Sequence, residues 1–510
     1  MNRRLKKFLL LLLAVALLFG AGQMQNALNR ERDRLGITLV KPLENAPPVL
    51  AFTTVALGGF RGLIANALWM RASDLQEDDK FFEAAQLADW ITKLEPHFPQ
   101  VWVFEAWNMA YNISVKFKDF PDRWRWLQNG IELLRDEGLK YNPNEVLIYR
   151  ELAWDFQHKV GANLDDANMY YKQQWANEMA EVFGKMKGAN FEKLVHPQTP
   201  DQTNRAARLR EKFKMDPQFM QEVDEQYGPL EWRLPEAHAI YWAARGLKAA
   251  RENPTKVKPD DLIQLRRVIY QDMLLSFQRG RLEVNPIEKI FEFGPNLDII
   301  PKANEIYETN MAEDEKNRDH IEKAHRNFLR QAIYSLYVNN RLAEAAKWFK
   351  YLGEKYPNKP IIDDLPNSLP ATVTLDQYAV ACIQTDINET SHDRVKTAVE
   401  GLLVNYFRSL VMDQDDRATG FWLLARKVLD AYDRQIPQDR KEAIGLPPIA
   451  AIAKEIRERL LDPERGLTPE ARAVLRTKLN LPAETSPTAP PVPAAPANGP
   501  STNTVPNLPA

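Results

Sequence analysis

The stretch Phe328–Pro357, FLRQAIYSLYVNNRLAEAAKWFKYLGEKYP, decides the fold class because it contains two amphipathic helical patterns in succession. Apolar residues in its first half recur at the intervals of three and four that place them on one helix face. These positions are Leu329, Ala332, Ile333 and Leu336. Its second half has key positions at successive offsets of four, three and five, namely Ala345, Phe349, Leu352 and Pro357. The stretch therefore predicts a helical hairpin that a proline ends.

The same spacing recurs in other parts of the chain. The segment WMRASDLQEDDKFFEAAQLADWITKLEP has its small, large and closing positions at Ala72, Leu75, Ala84, Ala88, Ile91 and Pro96. First-helix patterns follow at Phe104, Trp107, Asn108 and Tyr111, and at Tyr149, Leu152, Ala153 and Phe156. A second-helix pattern returns at Ala425, Leu429, Tyr432 and Pro437. Small residues let paired helices approach and large ones fill the groove to the next pair, so the recurrence predicts a stacked array.

These positions resemble the tetratricopeptide repeat (TPR), a helix–turn–helix unit of about 34 residues. The resemblance covers residues 60–160 and 325–360 and is weak elsewhere. It implies an all-α fold, a TPR-like α-solenoid of helical hairpins whose concave face can hold extended peptides or partner helices. The Trp-rich composition of Leu63–Pro143 also resembles membrane-anchored bacterial repeat proteins that lack an assigned activity.

Between the repeat-like blocks the pattern is less regular. Pro229–Pro254 and Lys258–Gly280 are strongly amphipathic and predict one more helical hairpin. Val284–Ala303 contains too many helix breakers for a regular helix and predicts an ordered connector. Lys185–Arg205 and Lys359–Ala371 are expected to be loops.

The chain is expected to fall into seven segments. They are an N-terminal signal-anchor (1–25), a linker and apolar lead-in (26–62), TPR-like helical repeats (63–184), a loop and helical insertion (185–228), an irregular helical region (229–320), further TPR-like repeats with C-terminal helices (321–480) and a disordered tail (481–510). The tail is rich in Pro and Ala and lacks charge after Glu484, so it cannot bury enough apolar surface to fold.

The N-terminus has the two parts of an export signal. A basic start at Arg3, Arg4, Lys6 and Lys7 precedes the apolar block Phe8–Phe19. No charge appears between Lys7 and Arg30, so the uncharged run is long enough to cross a hydrocarbon core of about 30 Å. Gly20-Ala21-Gly22 is a weak cleavage site, which favours an uncleaved transmembrane helix over a cleaved signal peptide. The positive charge predicts a single-pass protein of the inner membrane, with its repeats facing the periplasm or cell exterior.

The stretch Val49–Ala72 raises the question of a second span. Glycines at 58, 59 and 62 weaken a continuous helix by up to about 1 kcal/mol each, and Arg61 near a bilayer centre costs about 2.5–3.5 kcal/mol. We therefore expect Leu63–Glu77 to be the first repeat helix and Val49–Leu57 to be an apolar lead-in. The alternative, a second span over residues 49–69, would return the repeats to the cytoplasm.

Bulk composition argues against several kinds of partner and site. Hydrophobic residues make up 45% and charged residues 27%, as in globular proteins, and the net charge of −2 gives no electrostatic reason to expect a nucleic-acid partner. The single cysteine, Cys382, permits neither an intrachain disulfide nor a cysteine-based zinc site. In the context YAVACIQ it is expected to pack as a small hydrophobic residue.

Motifs for chemistry are not found. The sequence contains no HExxH, Walker A or G-x-S-x-G pattern, and the glycines of LGGFRG follow no strand. Glu322 and His325 have the spacing of one half of a di-iron site, but no second pair accompanies them. The sequence therefore predicts no enzyme activity, no cofactor and no metal.

The first helices of the repeats predict the face that partners contact. Asn108, Tyr111 and Asn112 lie on one of them, and Trp232, Arg233 and His238 cluster in the irregular region. We expect these residues to line a partner-binding groove of a membrane-anchored scaffold that mediates protein–protein interactions at the bacterial cell envelope. The alternative is a helical enzyme, or an accessory subunit, acting in envelope polymer assembly with catalytic groups drawn from distant helices. An open groove would favour the scaffold, and a closed pocket with converging carboxylates the enzyme.

Overall fold

A computed structural model describes a few single positions before residue 32 and residues 61–184, 189–254, 257–284, 291–362, 365–387, 392–435, 445–463 and 466–482. Helix predominates in this part of the chain, which confirms the all-α prediction. The expected signal-anchor, except for a few of those positions, and the tail beyond residue 482 lie outside the described residues. Within them, no helix combines the length and the apolar character of a membrane span.

The described chain divides into two compact units. The first contains residues up to Leu282 and Phe293–Thr309, and the second contains Glu283–Glu292 and the residues from Asn310 onward. The early helices of the first unit are α1 (Arg61–Glu77), α2 (Phe81–Leu94), α3 (Pro99–Trp107), α4 (Phe120–Glu132), α5 (Val146–Trp154), α6 (Asn168–Phe183) and α7 (Phe191–Val195). They are followed by α8 (Pro200–Glu211), α9 (Pro217–Tyr227), α10 (Pro235–Glu252) and α11 (Pro259–Arg279).

A two-stranded sheet follows these helices and pairs β1 (Arg281–Val284) with β2 (Phe291–Gly294). The unit boundary falls within the next helix, α12 (Ile300–Glu313). The helices of the second unit are α13 (Arg318–Val338), α14 (Leu342–Lys355), α15 (Leu375–Ile387), α16 (His392–Val411), α17 (Asp415–Gln435), α18 (Ile449–Leu460) and α19 (Pro469–Lys478).

Three hairpins share one turn geometry. The pairs α1–α2, α13–α14 and α16–α17 are each joined by a three-residue turn whose middle residue has a positive φ: Asp79 (60°), Asn340 (59°) and Asp413 (57°). Asp and Asn are the residue types, besides Gly, that tolerate this conformation best. In each turn the last amide donates back into the first helix, from Lys80 to Leu75 O (2.8 Å), Arg341 to Leu336 O (2.9 Å) and Gln414 to Ser409 O (2.9 Å). The same local structure is thus built in both units.

The positions that the repeat pattern assigns to close helix packing are buried. Ala72, Ala84, Ala88, Ala332, Ala345 and Leu352 are all 0% exposed. Ala84, Ala345 and Ala418 each lie four residues after the last turn residue, where their amides bond to its carbonyl. The first repeat helix, expected from Leu63 to Glu77, forms as α1 with the same C-terminal end.

Part of the loop expected over Lys185–Arg205 is helical. Helix α7 lies inside it and α8 begins at Pro200. The start of α8 has favourable capping, since Thr199 Oγ1 accepts from the amide of Gln202 (3.3 Å) and Pro200 occupies the first turn. The loop prediction was wrong here because α8 buries only Ala206 and Leu209, which is too few residues for a clear apolar period.

Two glycines let helices of the first unit approach closely. A Cβ on Gly246 of α10 would lie 2.9 Å from Leu265 Cδ1 of α11 and 3.0 Å from Tyr149 Cβ of α5. A Cβ on Gly130 of α4 would lie 2.9 Å from Ala106 O of α3. Helix α10 therefore packs against both α5 and α11, and these two helices form part of the site described next.

Candidate ligand-binding groove

Four helices of the first unit surround a groove of about 800 Å³ that is partly open to solvent. The helices α1, α3, α5 and α11 contribute its walls. The lining residues are Trp69, Gln100, Val103, Phe104, Trp107, Leu147, Arg150, Glu151, Trp154, Gln157, Gln264, Arg267, Val268 and Gln271. The combination of tryptophans, carboxamides and few charges suits a ligand that is both apolar and rich in hydrogen-bonding groups.

Helical periodicity explains why these residues share a surface. On α3 the lining positions 100, 103, 104 and 107 follow the three- and four-residue intervals of one face. The same intervals give 147, 150, 151 and 154 on α5, and 264, 267, 268 and 271 on α11. Helix α11 is more than 100 residues away from α5 in the sequence, so sequence proximity does not indicate that their faces meet.

Aromatic rings form a continuous run along one side of the groove. The rings of Trp107 and Tyr111 stack at 5.9 Å, and those of Trp154 and His158 stack at 4.5 Å. Tyr111 and His158 connect the two pairs, because the Tyr111 hydroxyl lies 3.3 Å from His158 Nδ1. Burial, followed by the charge of Lys159, lowers the pKa of His158. Trp154 is 39% exposed, so the run presents aromatic surface to solvent.

Three π-helical turns extend helices of this unit, at Asn108–Ile113, Leu133–Gly138 and Asp155–Val160. The first contains the predicted residues Asn108, Tyr111 and Asn112. Asn108 is buried, and its Oδ1 accepts from Asn112 Nδ2 (2.6 Å). Tyr111 and Asn112 are half-buried, and Tyr111 contacts the lining residue Trp107. These residues thus adjoin the groove without lining it. π-turns are rare and are frequent at functional sites.

Two acidic residues lie one turn apart on α5 and its π-turn. Glu151 lines the groove and is 9% exposed, and its carboxylate has no hydrogen bond or ion pair to any residue the structure describes. Asp155 is 0% exposed, and neither of its carboxylate oxygens has a hydrogen-bond partner in that part of the chain. Burial raises the pKa of both carboxyl groups, and the charge of Glu151 raises that of Asp155 further.

A third buried acid contacts a residue that lines the groove. Asp272 of α11 is fully buried, and its Oδ2 accepts from Nε2 of the lining residue Gln157 (2.7 Å). Burial, followed by the charge of Glu236, raises the pKa of Asp272 well above its ordinary value. Glu236 itself pairs with Arg279 (2.7 Å). Gln157 therefore couples the groove surface to a buried carboxyl group.

The neighbouring charged network is fully paired. Asp165 accepts from Lys159 (2.7 Å), Arg123 (3.0 Å) and the hydroxyl of Tyr171 (3.2 Å). Burial alone would raise the pKa of Asp165, but the bonds from Lys159 and from the amide of Ala167 hold it below its ordinary value. This network ties α4 to the loop before α6.

Trp232, Arg233 and His238 lie in a buried core instead. None of them is among the groove-lining residues, and all three are at most 3% exposed. His238 Nε2–H donates to Trp232 O (2.8 Å), Trp232 Nε1 donates to Asp224 (2.9 Å), and Arg233 pairs with Glu231 (2.6 Å). Burial lowers the pKa of His238 to about 4, so its ring is neutral at physiological pH. The structure therefore gives these residues packing partners of their own.

His325 of the second unit, half of the pair with di-iron spacing, also has a packing partner. His325 is buried, and its Nδ1 lies 2.8 Å from the hydroxyl of Tyr356. Within the described ranges, no set of three His, Cys, Asp or Glu side chains is placed to hold a metal ion.

Sequence analysis missed Glu151, Asp155 and the glutamines of the groove. The signal for the acids was the i, i+4 pair inside RELAWDF, whose other residues after Arg150 are apolar. Comparison with protein-family models, with curated proteins and with solved structures finds no match to this chain.

Proposed function

We propose that the protein is a membrane-anchored helical-repeat scaffold of the bacterial cell envelope, and that its groove binds an extended segment of a partner protein. The observation that carries the proposal is the groove itself, with tryptophans and glutamines supplied by four helices. Aromatic rings cover apolar side chains of a peptide, while carboxamides can pair with both the N–H and the C=O of its backbone. The repeated turn geometry supports the repeat architecture, and the N-terminal apolar block supports the anchor.

A matched pair of valine variants tests groove binding. Random dodecapeptides displayed on phage are selected on the full-length protein, and the affinity of the selected peptides is measured by fluorescence anisotropy. Val103→Trp fills the groove and should weaken binding by about tenfold or more. Val115→Trp places the same bulk at an exposed site outside the groove and should leave affinity within about twofold. Failure to select any peptide, or equal effects of both variants, would reject the proposal.

The topology is tested separately. C-terminal fusions to alkaline phosphatase and to a cytoplasm-dependent fluorescent protein should give phosphatase activity without fluorescence, because the basic start keeps the N-terminus in the cytoplasm. Fluorescence without phosphatase activity would instead support the second span over residues 49–69.

One observation favours the alternative function, a helical enzyme acting on envelope polymers. Glu151 is a buried carboxyl group with a raised pKa that reaches an open groove, as a general acid requires. Purified cell-wall sacculi incubated with the protein should then release soluble fragments, and Glu151→Gln should abolish the release. The scaffold predicts no release by either protein.

A further inference from the structure

Two buried carboxyl groups, one lining the groove and one a helical turn away, have no hydrogen bond or salt bridge within the part of the chain that the structure describes. Glu151 is more than nine-tenths buried, lines the groove and has no partner among the residues described. Asp155 lies one helical turn further along, fully buried, with both oxygens unpartnered. An unsatisfied buried polar group costs about 1–3 kcal/mol, and more when it is charged. Of the two, only Glu151 lines the groove, where a cation from outside the chain can reach it.

The cations nearest in sequence are committed to other acids. Arg150 pairs with Asp261 of α11 (2.8 Å), and Lys159 pairs with Asp165 (2.7 Å). Both basic residues adjoin the acids in sequence, yet each has its own partner. Arg267 also lines the groove, from α11, so pairing of Arg267 with Glu151 is the internal alternative that a test must separate.

The surroundings favour an organic cation over a metal ion. The described residues offer no set of three metal ligands. Trp107 and Trp154 line the same groove as Glu151, and the faces of tryptophan rings attract ammonium and guanidinium groups. A long basic side chain can place its methylene groups on such rings while its charged end reaches a carboxylate.

We propose that Glu151, with Asp155 behind it, forms a subsite that binds the basic side chain, lysine or arginine, of a peptide held in the groove. This proposal rests on the proposed peptide-binding function. Charge defines the occupant, because Glu151 is the acid that lines the groove, and a cation placed against it is favoured over an acidic residue at that position. Burial raises the pKa of both carboxyl groups, and the charges of Arg150 and Lys159 offset that rise only in part.

The test uses the peptides selected on the full-length protein and a matched pair of glutamates. Glu151→Gln should weaken their binding by about tenfold. Glu105→Gln is the control, because Glu105 is also buried with an unpartnered oxygen but does not line the groove, and it should change affinity by less than about twofold. The basic residue of each peptide is replaced by norleucine, which should cost about tenfold on the unaltered protein and nothing further on Glu151→Gln.

Each outcome decides the question. Selected peptides that share a Lys or Arg and lose affinity as described support the subsite. Peptides that bind without a basic residue, or equally well to Glu151→Gln, overturn the subsite but leave peptide binding standing; equal binding to Glu151→Gln also fits internal pairing with Arg267. If no peptide is selected, the proposed function fails, and the subsite is then titrated with Nα-acetyl-lysine methylamide by tryptophan fluorescence. Absence of saturable quenching there, or quenching that survives in Glu151→Gln, overturns the subsite as well.

Discussion

The two units treat buried charge differently. In the first unit, Glu105, Asp155 and Asp272 each keep at least one buried carboxylate oxygen without a partner, and no carboxylate oxygen of the second unit does so among the described residues. The described residues of the second unit include no buried Asp or Glu. Its Asp376, whose side chain is 61% exposed, accepts from Tyr337 (2.6 Å) and Lys427 (2.5 Å). Both units form the same hairpin turn, so the fold itself does not require unpaired acids. The difference sets the first unit apart, where Asp155 lies one helical turn from the groove-lining Glu151.

The two units also differ in helix geometry. In the described part of the chain, π-turns occur only in the first unit, and two of the three adjoin the groove through Tyr111 and Asp155. A π-turn inserts one residue and changes which side chains face a neighbour. Glu151, Asp155 and two of the π-turns therefore lie at or next to the groove in the first unit.

The largest effect is expected at the paired network of the first unit. Asp165→Ala should lower the free energy of unfolding by about 3–5 kcal/mol, because it leaves Lys159 and Arg123 without their shared acid. Urea denaturation followed by circular dichroism measures the change. The control is Asp166→Ala, since Asp166 also pairs with Arg123 but its side chain is 69% exposed. Similar losses in both variants would contradict this account of the network.

Replacement of the unpaired acid Asp155 should change the free energy of unfolding in the opposite direction, towards greater stability. The pKa of Asp155 is raised in the folded state, so its contribution to stability is fully present below the unfolded pKa of about 4 and is lost as pH rises through the folded value. Asp155→Asn should therefore stabilise the protein, by about 1–3 kcal/mol at pH 8 and by less at pH 5. Thermal unfolding at the two pH values measures this.

Asp376 of the second unit serves as a control, because its pKa is shifted in the opposite direction. Hydrogen bonds from Lys427 and Tyr337 lower its pKa, so its contribution is present above the unfolded value and is lost as pH falls through the folded one. Asp376→Asn should thus destabilise the protein at pH 8. Destabilisation by Asp155→Asn at pH 8 would remove the energetic contrast between the two units.

Substitution of one glycine in each unit compares how closely their helices pack. Gly130→Ala should destabilise by about 1–2 kcal/mol, because crowding against Ala106 O exceeds the gain in helix propensity. Gly401 of α16 has nothing within 4 Å of an added Cβ, so Gly401→Ala should stabilise by up to about 1 kcal/mol. Denaturant midpoints of both variants test the pair, and effects of the same sign would show that α3 and α4 can move apart at low cost.

Helices and their packed faces could be predicted from the sequence because apolar period and capping are local. Ala72, Ala84 and Ala345 were expected at helix contacts, and each is fully buried. The groove could be predicted only in part. Periodicity assigns Glu151 and Asp155 to a polar helix side, and their burial depends on packing against helices distant in sequence, including α11. The π-turns have no sequence pattern that the helical period detects.

The smallest effects are expected at the hairpin turns that the two units have in common. Asp79 and Asn340 hold φ values of 60° and 59° at equivalent turn positions. Replacing either by Ala should cost about 1 kcal/mol, because a Cβ in this conformation crowds the following carbonyl and Ala lacks the polar side chain that eases it. Replacing either by Gly should change stability by only a few tenths of a kcal/mol, since Gly adopts positive φ freely. Equal costs in the two turns, measured by urea denaturation, would mean that both units use this hairpin turn in the same way and that their differences lie elsewhere, in the buried acids and π-turns of the first unit. A cost confined to Asn340 would instead mean that the first hairpin folds independently of its turn.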